Sequence, residues 1–450
     1  MEKAHYDVFV IGSGVAGQTA AKICAKEGLK VAMADDRAFG GTCAIRGCDP
    51  KKILISFGEL VDFCERMKKN GIATPPKLDW GAVQNFKRSF TDKIPKKTEE
   101  KLEDLGISMY HQSPEFINEN EIKVEGKFVT ATKFIIATGC IPRKLTFEGS
   151  DYLKTSDDFL NLEKLPKTAV FIGSGYIGME FSHLLARLGC QVTIIDIAER
   201  LLMNFDKDLT DLLQKKSEQI GINFLFKSKI IAIKKLQKNH KITVENANGE
   251  KVEIKSELVF NSTGRVPSTK KLQLAKANIS ENKNGIEVNE YMQSISNKNV
   301  YACGDVSDFS LKLTPLSGLE GYVAANNILK EKSKKLLPPI VPSVVFTLPQ
   351  MATVGLSEKE AKSLYKNVIV NYNEIPFYYN AKMQNEDIYA YKIIINKETQ
   401  TVVGAHLIGP KAGETINLFA LAIKNEIKII NLKRTIFTYP SLINDIRKMV

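Results

Sequence analysis

Short apolar runs separated by glycines and polar helices predict a parallel, doubly wound sheet. The run Tyr6-Asp7-Val8-Phe9-Val10-Ile11 predicts a buried strand, and an alanine-rich helix extends from the glycines behind it to about Glu27. A second apolar strand is predicted over 30–34. The same order of strand, helix and strand recurs between 168 and 195. Strands that alternate with helices in this way favour an α/β fold.

Glycines with a recurring spacing follow the first strand of each of these units. The first set, Gly12, Gly14 and Gly17, permits a tight turn and the close approach of a pyrophosphate, which the free N–H groups of a helix start stabilise. The next strand ends at Asp35, which is placed to accept hydrogen bonds from a ribose hydroxyl. The second set has the same design, with these residues: Gly173, Gly175, Gly178 and Asp196. Two complete fingerprints predict two bound dinucleotides, one FAD and one nicotinamide.

Cys43 and Cys48 lie a few residues past the first fingerprint, in the run Gly40-Gly41-Thr42-Cys43-Ala44-Ile45-Arg46-Gly47-Cys48-Asp49-Pro50-Lys51-Lys52. Thiols at this spacing can close a small disulfide ring, and a helix start stabilises a thiolate. Two cysteines make only half a zinc site, and no second pair has a suitable spacing, so no metal is expected. A structural bridge, or two unrelated buried thiols, would not need the flanking glycines. A redox pair beside a bound flavin is the favoured interpretation.

Three further apolar runs end in residues suited to a cofactor, although each is also compatible with an ordinary strand end. A small residue there lets the backbone pass close to a ligand, and a carboxylate suits the ribityl hydroxyls of a flavin. The pairs that end these runs are Thr138-Gly139, Thr263-Gly264 and Gly304-Asp305.

The composition changes after about residue 330, where Lys332-Ser333-Lys334-Lys335 and Pro338-Pro339 predict a linker. Beyond it the chain has no glycine fingerprint, which favours an α+β dimerisation domain. Strands are predicted there over 343–347, 389–395 and 402–408, and helices over 357–364 and 413–424. The predicted domains are an FAD-binding domain over 1–148 and 266–335, an NAD(P)-binding domain over 149–265 and the dimerisation domain over 336–450.

Composition narrows the class of protein further. A chain of 450 residues with 44% apolar residues predicts a globular protein of about two to four domains. Seven scattered cysteines, and no apolar signal segment at the start, predict a cytoplasmic protein in a reducing compartment. No apolar stretch is long enough to cross a bilayer. The net charge of +12 comes from scattered lysines without a basic, aromatic stripe, so neither nucleic acid nor membrane is an expected partner.

From the first fingerprint to Thr438-Tyr439-Pro440-Ser441, the chain resembles the class I pyridine nucleotide-disulfide oxidoreductases, such as dihydrolipoamide dehydrogenase, glutathione reductase and mercuric reductase. The motif Gly-Gly-Thr-Cys-x4-Cys-x-Pro-x-Lys carries this resemblance. It implies a homodimer in which hydride passes from the nicotinamide to FAD and electrons leave through the disulfide. It also implies that Cys48 is the thiolate nearest the flavin and that Cys43 is the thiol that attacks the substrate.

The resemblance extends to residues around the flavin. Lys52, with Lys51 as an alternative, aligns with the family's lysine beside the flavin, and Glu180 aligns with its ion-pair partner. A cation there favours the reduced anion, whereas the other interpretation is a surface ion pair. Thr42 and Thr314 match FAD-binding positions, the second in a segment along the pyrimidine edge.

The residues that follow the last strand of the second fingerprint unit, which ends at residue 195, suggest which nicotinamide binds. Family members that use NADPH place arginines there, whereas this chain reads Asp196-Ile197-Ala198-Glu199-Arg200. Two carboxylates repel a 2′-phosphate, and Asp196 can bond free ribose hydroxyls. NADH is therefore expected, with Arg200 as the feature that would favour NADPH.

The C-terminal segment departs from the family, whose disulfide-reducing members have His-Pro-Thr-x-x-Glu. Here Tyr439 replaces the histidine and Asn444 replaces the glutamate. A tyrosine with a pKa of about 10 costs roughly 4 kcal/mol to ionise at neutral pH, so Tyr439 is expected to donate a proton or hold a soft cation rather than act as a base. Asp445 is a further candidate for part of the lost role. None of the five histidines lies in this segment, and His406 is expected to be a structural strand residue.

This departure leaves the electron acceptor open. Tyr322 stands where glutathione reductase has a substrate arginine, although Lys22 is placed to replace a second one, and the end of the chain lacks the cysteine pair of mercuric reductase. The leading hypothesis is an NADH-dependent flavoprotein that reduces a disulfide or another soft electrophile. The alternatives are a metal-ion or quinone reductase and a non-enzymatic redox-sensing flavoprotein with a protein partner.

Overall fold

The computed structural model describes residues 3–309, 311–337 and 339–450. The helices are α1 Val15–Lys26, α2 Gly41–Arg46, α3 Cys48–Arg66, α4 Trp80–Thr91, α5 Ile94–Glu103, α6 Ser156–Leu160, α7 Tyr176–Arg187, α8 Lys207–Gln219, α9 Thr314–Leu329, α10 Glu358–Leu364, α11 Tyr379–Lys382, α12 Ala412–Lys424, α13 Ile429–Arg434 and α14 Ile446–Met449.

The strands up to residue 225 are β1 Ala4–Ile11, β2 Val31–Ala34, β3 Ser108–Tyr110, β4 Glu115–Asn118, β5 Glu121–Val124, β6 Lys127–Ile136, β7 Cys140–Pro142, β8 Thr168–Ile172, β9 Gln191–Ile195 and β10 Ile222–Leu225. The later strands are β11 Lys229–Lys235, β12 His240–Glu245, β13 Lys251–Ser256, β14 Leu258–Asn261, β15 Arg265–Pro267, β16 Glu281–Asn282, β17 Gly285–Ile286, β18 Val300–Ala302, β19 Ser343–Val345, β20 Gln350–Gly355, β21 Val368–Glu374, β22 Ala390–Asn396 and β23 Thr401–Gly409.

The first compact unit comprises the described residues of 1–51, 85–143 and 265–339. Its main sheet has the order β3-β2-β1-β6-β5-β4, and β18 pairs with the second half of β6. Parallel pairing sets Val10 opposite both Met33 and Ile135, so the carboxyl ends of β2, β1 and β6 meet at one edge. Val8, Phe9 and Val10 are all buried, because side chains cover both faces of this central strand. That explains the continuous apolar run in the sequence.

The second compact unit comprises residues 52–84, 144–264 and 340–450. It contains a parallel sheet of order β10-β9-β8-β14, an antiparallel sheet β11-β12-β13 and an antiparallel sheet β19-β20-β23-β22-β21. The predicted α/β fold class is confirmed, since each glycine fingerprint lies between a parallel strand and a helix. The separate domain boundaries given above remain a prediction.

The predicted linker lies next to the core of the first unit. Lys335 Nζ lies 3.4 Å from a carboxylate oxygen of Glu290, and the Leu336 side chain is buried. Pro338 lies outside the described residues. The ion pair and the buried leucine hold this segment against the unit just before the chain leaves it.

Charged side chains are buried between helices of the second unit. Arg66 Nε donates to Asp62 Oδ2 at 2.9 Å, and Arg187 Nε donates to Asp62 Oδ1 at 2.7 Å. Glu386 lies 3.6 Å from Arg66 and 3.9 Å from Lys216. Burial raises the pKa of Glu386 to about 7, although both cations oppose the rise. This carboxyl therefore titrates near neutral pH.

His406 lies in β23, as expected for a structural residue. Its Nδ1 lies 2.6 Å from the hydroxyl of Thr353, and its Nε2 lies 3.2 Å from the carbonyl oxygen of Leu356. Burial lowers the pKa of this imidazole.

Among the described residues, no helix is long and apolar enough to cross a membrane.

Candidate redox site

The glycines of the first fingerprint serve two different purposes. A Cβ atom at Gly12 would lie 2.3 Å from the carbonyl oxygen of Ala137, and one at Gly17 would lie 1.9 Å from the carbonyl oxygen of Gly12. These two glycines therefore allow β1, β6 and α1 to pack. At Gly14, apart from atoms of its own chain neighbours and helix, the nearest described atom to such a Cβ is the Cα of Gly41, at 3.9 Å. Gly14 thus leaves open space at the start of α1, where a pyrophosphate can approach the free N–H groups.

Asp35 is fixed at the same edge of the sheet. Its Oδ2 accepts hydrogen bonds from the backbone N–H of Ser13 at 2.8 Å and from the Ser13 hydroxyl at 2.6 Å. Its Oδ1 accepts from the backbone N–H of Arg37 at 3.0 Å. The glycine loop of residues 12–17, between β1 and α1, is called the first cradle. These bonds orient the Asp35 carboxylate beside the first cradle without using all of its acceptor capacity. The position fits the predicted contact with a ribose hydroxyl.

Thr138 follows β6 on the other side of the cradle. Its side-chain oxygen is buried and has no hydrogen-bond partner in the described residues. A buried hydroxyl without a partner costs about 1–3 kcal/mol, so this site suits a polar ligand group. Gly139 has a φ of 66°, and apart from its own chain neighbours no atom of the described residues lies within 4 Å of the position a Cβ would occupy. The open backbone and the unpaired hydroxyl fit a bound FAD.

A buried glutamate that the sequence reasoning missed holds the Gly304-Asp305 turn. Glu320 on α9 accepts a hydrogen bond from the Gly304 N–H at 2.6 Å and from the Ser307 hydroxyl at 3.3 Å. Burial raises the pKa of the Asp305 carboxyl, although the positive charge of Lys312 opposes the rise. The sequence signal for Glu320 was weak, since a single acidic residue in a helix is ordinarily exposed.

The two cysteines belong to the first unit and lie on consecutive helices. Cys43 is in the middle of α2, directly after Gly41-Thr42, and Cys48 is the first residue of α3. Cys48 Sγ lies 3.6 Å from the Thr314 hydroxyl, and Cys43 Sγ lies 4.0 Å from Asp49 Oδ1. Cys43 is partly buried and Cys48 is exposed. The pair is therefore open to a reaction partner.

The environment gives the two thiols different roles. A hydrogen bond from Cys43 lowers the pKa of Cys48 to about 6, and the Thr314 hydroxyl and the positive charge of Lys51 act in the same direction. Partial desolvation of the Cys48 sulfur by neighbouring atoms and the charge of Asp49 oppose this decrease. The same hydrogen bond raises the pKa of Cys43, because Cys43 is the donor. At neutral pH, Cys48 is therefore the thiolate and Cys43 the thiol.

The second fingerprint repeats the first at the carboxyl ends of β8 and β9. A Cβ at Gly178 would lie 2.1 Å from the carbonyl oxygen of Gly173. At Gly175 and Gly264, apart from the chain neighbours of each glycine, no atom in the described part of the chain lies within 4 Å of a Cβ position. Asp196 Oδ2 accepts from the backbone N–H of Ser174 at 2.6 Å and from its hydroxyl at 2.5 Å. The two cradles thus share one carboxylate-serine design.

Arg200 is directed into the protein chain rather than toward a ligand. Its guanidinium donates to the Met203 carbonyl at 2.9 Å, to the Phe205 carbonyl at 3.2 Å and to the Thr210 hydroxyl at 3.1 Å. It also donates to the carbonyl of Leu201 at 3.2 Å. These contacts hold the loop between β9 and α8. Arg200 therefore has a structural task at this position.

Lys52 and Glu180 both lie in the second unit. The Lys52 amino group lies 2.5 Å from Glu59 Oε1 and 4.6 Å from the centre of the Phe346 ring. Glu180 is buried on α7, and its Oε1 accepts from the backbone N–H of Phe346 at 2.9 Å. Phe346 therefore contacts both residues. Their roles beside a flavin remain a prediction.

The residues that replace the usual acid-base pair have different surroundings. Tyr439 is 74% exposed, and its ring centre lies 6.5 Å from that of Tyr379. Asp445 is buried and accepts from Asn380 at 3.1 Å and from the Tyr389 hydroxyl at 3.3 Å. Asp445 is thus engaged within its own unit, while Tyr439 is accessible.

The two substrate candidates in the first unit also differ. The Lys22 amino group donates to Gln18 at 2.9 Å, and burial together with the charges of Lys101 and Lys26 lowers its pKa. Tyr322 is partly exposed on α9. Lys22 therefore lies in a positively charged surface.

Two dinucleotide cradles and a dithiol with one stabilised thiolate define a two-nucleotide oxidoreductase. The chain belongs to the pyridine nucleotide-disulphide oxidoreductase family: the family's model matches residues 6–321, and the model of its dimerisation domain matches residues 341–450. It is therefore an enzyme of a FAD-dependent family that uses NAD(P)H. The dimerisation domain supports a homodimer.

Similar proteins have several different activities. A mercuric reductase of Staphylococcus aureus is 31% identical over 96% of this chain and 80% of its own length. A glutathione reductase of Burkholderia cepacia is 32% identical over 98% of both chains. A dihydrolipoyl dehydrogenase of Bacillus subtilis is 29% identical over 96% of this chain and 95% of its own length. The family is thus established, whereas the similarity does not single out one acceptor.

Proposed function

We propose that the protein is a reductase that passes electrons from NADH through FAD to the Cys43-Cys48 disulfide and from there to a disulfide or another soft electrophile. The observation that carries this proposal is the placement of two thiols on adjacent helices directly past the first cradle, with Cys48 exposed and its Sγ 3.6 Å from the Thr314 hydroxyl. A structural bridge would not need one thiol with a pKa of about 6.

FAD, when bound, supplies a two-electron carrier between the nicotinamide and the disulfide. In the reductive half, NADH supplies two electrons and one proton, which convert the Cys43-Cys48 disulfide into the Cys43 thiol and the Cys48 thiolate, and NAD⁺ is released. For a disulfide acceptor, Cys43 Sγ attacks one sulfur and expels the first thiol, which leaves with the proton of Cys43. Cys48 Sγ then attacks Cys43 Sγ, which restores the ring and releases the second sulfur as a thiolate that takes one proton from solvent. The adjacent Cys48 thiolate is the group placed to take the Cys43 proton before attack.

The preference for NADH is supported by charge at the second cradle. Asp196 leaves acceptor capacity for a free ribose hydroxyl, and Glu199 adds a second carboxylate near a 2′-phosphate. Arg200, the feature that would favour NADPH, is bonded to the loop that follows it. Its cationic group is therefore committed elsewhere.

The exposed Tyr439 favours an acceptor that needs little proton transfer. Reduction of a disulfide requires protons for two leaving thiols, and a tyrosine is a poor shuttle near neutral pH. Reduction of a mercuric ion by NADH yields the metal, NAD⁺ and one released proton, so it requires none. A metal-ion reductase is therefore the second candidate function. A quinone, which takes up two electrons and two protons, is the third acceptor to compare.

A panel of acceptors tests the proposal. The holoenzyme is assayed with NADH and NADPH against low-molecular-weight disulfides, mercuric and cupric ions and quinones, with Cys43→Ser alongside. We expect NADH-dependent turnover that falls at least about 100-fold in Cys43→Ser. Turnover of every acceptor that is equal in Cys43→Ser would contradict electron transfer through the thiol pair.

The proposed assembly is a homodimer, and the proposed location is the cytoplasm. A homodimer is supported by the dimerisation domain match at residues 341–450. The cytoplasmic location predicted from the scattered cysteines remains a prediction. Cell fractionation with an antibody against the protein is the direct test, and recovery outside the cytoplasmic fraction would contradict it.

A further inference from the structure

Asp49 places a carboxylate beside the Cys43 thiol. It is the second residue of α3, directly after Cys48, and the motif Gly-Gly-Thr-Cys-x4-Cys-x-Pro-x-Lys leaves this position open. Asp49 Oδ1 lies 4.0 Å from Cys43 Sγ, and Asp49 is exposed. An acceptor that reaches Cys43 from solvent therefore comes close to the Asp49 charge.

The charges that act on the two thiols are unequal. The hydrogen bond to Cys48 and burial raise the pKa of Cys43, and the negative charges of Cys48 and Asp49 add to the rise. At Cys48 the hydrogen bond from Cys43 has the largest effect, while the charges of Lys51 and Asp49 act in opposite directions. Cys43 therefore faces two negative groups, whereas a cation offsets Asp49 at Cys48.

We propose that Asp49 selects the electron acceptor by its charge, because its carboxylate attracts a positively charged acceptor to Cys43 and repels a negatively charged one. This inference rests on the proposed function, since it requires that Cys43 meet the acceptor. Complementary charge sets specificity more than affinity, and repulsion of the wrong partner widens the difference. A cationic disulfide and a soft metal cation share the required charge.

Two methanethiosulfonates of opposite charge measure the field at Cys43 without turnover. One carries a trimethylammonium group and the other a sulfonate, and each forms a mixed disulfide with Cys43 and releases methanesulfinate. The holoenzyme with Cys48→Ser is used, and Cys43→Ser/Cys48→Ser is the blank for the other cysteines. We expect the cationic reagent to react faster, and the added change Asp49→Asn to lower the ratio of the two rates about tenfold. Both reagents attack the same thiolate, so this ratio does not depend on the pKa of Cys43.

Turnover with NADH gives the second measurement. The ratio of kcat/KM for cystamine, a cationic disulfide, to that for the anionic dithiodipropionate should fall about tenfold in Asp49→Asn. It should stay close to the native value in Asp49→Glu, which keeps the charge. An ionic strength of about 1 M, where the Debye length is about 3 Å, should lower the native ratio. Turnover of cystamine compared with that of mercuric and cupric ions distinguishes an organic cation from a metal ion.

Glu119→Gln is the matched control. Glu119 is an exposed carboxylate of the same unit, in the turn between β4 and β5, and β4 is the last strand in the order of the main sheet. This change removes the same net charge from the protein. It should leave both ratios at their native values.

The outcomes separate the two proposals. An enzyme that reduces no disulfide, metal ion or quinone with NADH would overturn the proposed function and this inference with it. An active enzyme would overturn this inference alone if it preferred dithiodipropionate, or if either ratio were equal in Asp49→Asn and the native protein. An equal loss of the ratio in Glu119→Gln would also overturn it, because the effect would then come from net charge.

Discussion

The Sγ atom of Cys48 lies 3.6 Å from the Oγ1 atom of Thr314, although 266 residues separate them in the chain. The start of α3 and the start of α9 therefore meet at the thiolate. The Thr314 hydroxyl and the Cys43 thiol both lower the pKa of Cys48, with Cys43 the stronger of the two.

Removal of these donors should raise the pKa of Cys48 from about 6. A hydrogen bond to a charged group contributes about 1.5–3 kcal/mol, so Cys43→Ala should raise it by about one to two units and Thr314→Val by up to about one. The thiolate is lost as pH falls through the pKa. The rate of iodoacetamide alkylation against pH measures it, with Cys43→Ala/Cys48→Ser as the blank. An unchanged profile in Cys43→Ala would refute the assigned donor.

Thr138→Val should weaken FAD binding by about tenfold, because the buried hydroxyl loses its ligand partner. The apoprotein should not lose thermal stability, since that hydroxyl bonds no described residue. Fluorescence titration of the apoprotein with FAD measures the affinity. Thr132→Val, at an exposed position of β6, is the control. Equal affinities in Thr138→Val and the native protein would remove Thr138 from the FAD site.

Tyr439→His should give at least about a tenfold gain in disulfide reduction, because a histidine near pKa 6.5 can exchange protons at neutral pH. Tyr439→Phe should lower turnover of the native acceptor. Tyr439 is 74% exposed, so stability should change by less than about 0.5 kcal/mol in either variant. Steady-state assays with both variants check this. Native activity in Tyr439→Phe would mean that the hydroxyl has no role.

Glu386 should make stability depend on pH. Its pKa is about 7 in the folded protein against an ordinary value of 4.5, so the folded state holds a proton that the unfolded state releases. Its contribution is full below about 4.5 and is lost as pH rises through 7, a change of about 3 kcal/mol. The unfolding free energy of the native protein minus that of Glu386→Gln should fall across this range. A difference that stays constant with pH would contradict the assignment; Glu163→Gln, at an exposed position, is the control.

Much of the first unit and the parallel sheet of the second could be predicted from local patterns. β8 begins and β9 ends at the predicted limits of their unit, 168 and 195, because each is a short apolar run between polar or glycine residues. β21 was missed, since Val368–Glu374 is an edge strand with two asparagines and little buried surface. An edge strand forms through its pairing with β22, which the local pattern does not record.

Residues of the candidate site could be predicted from the sequence where the backbone geometry requires a glycine. Gly12, Gly17 and Gly178 are required by close backbone approaches, so their spacing is visible in the sequence. Glu320 was not predicted, because its role arises from the Gly304 N–H, a neighbour that only the fold brings to it. The Arg200 contacts likewise depend on the path of the loop that follows it.

Anaerobic titration of the fresh holoenzyme with NADH tests most directly whether electrons reach the Cys43-Cys48 disulfide. Electrons that reach the Cys43-Cys48 disulfide leave Cys48 as a thiolate, and a bound flavin next to it would give a long-wavelength thiolate-flavin absorbance band after one equivalent of NADH. The band should be absent in Cys48→Ser and should fade as pH falls through about 6. If NADH bleached the flavin of the native protein without producing this band, electron transfer to the Cys43-Cys48 disulfide would be contradicted.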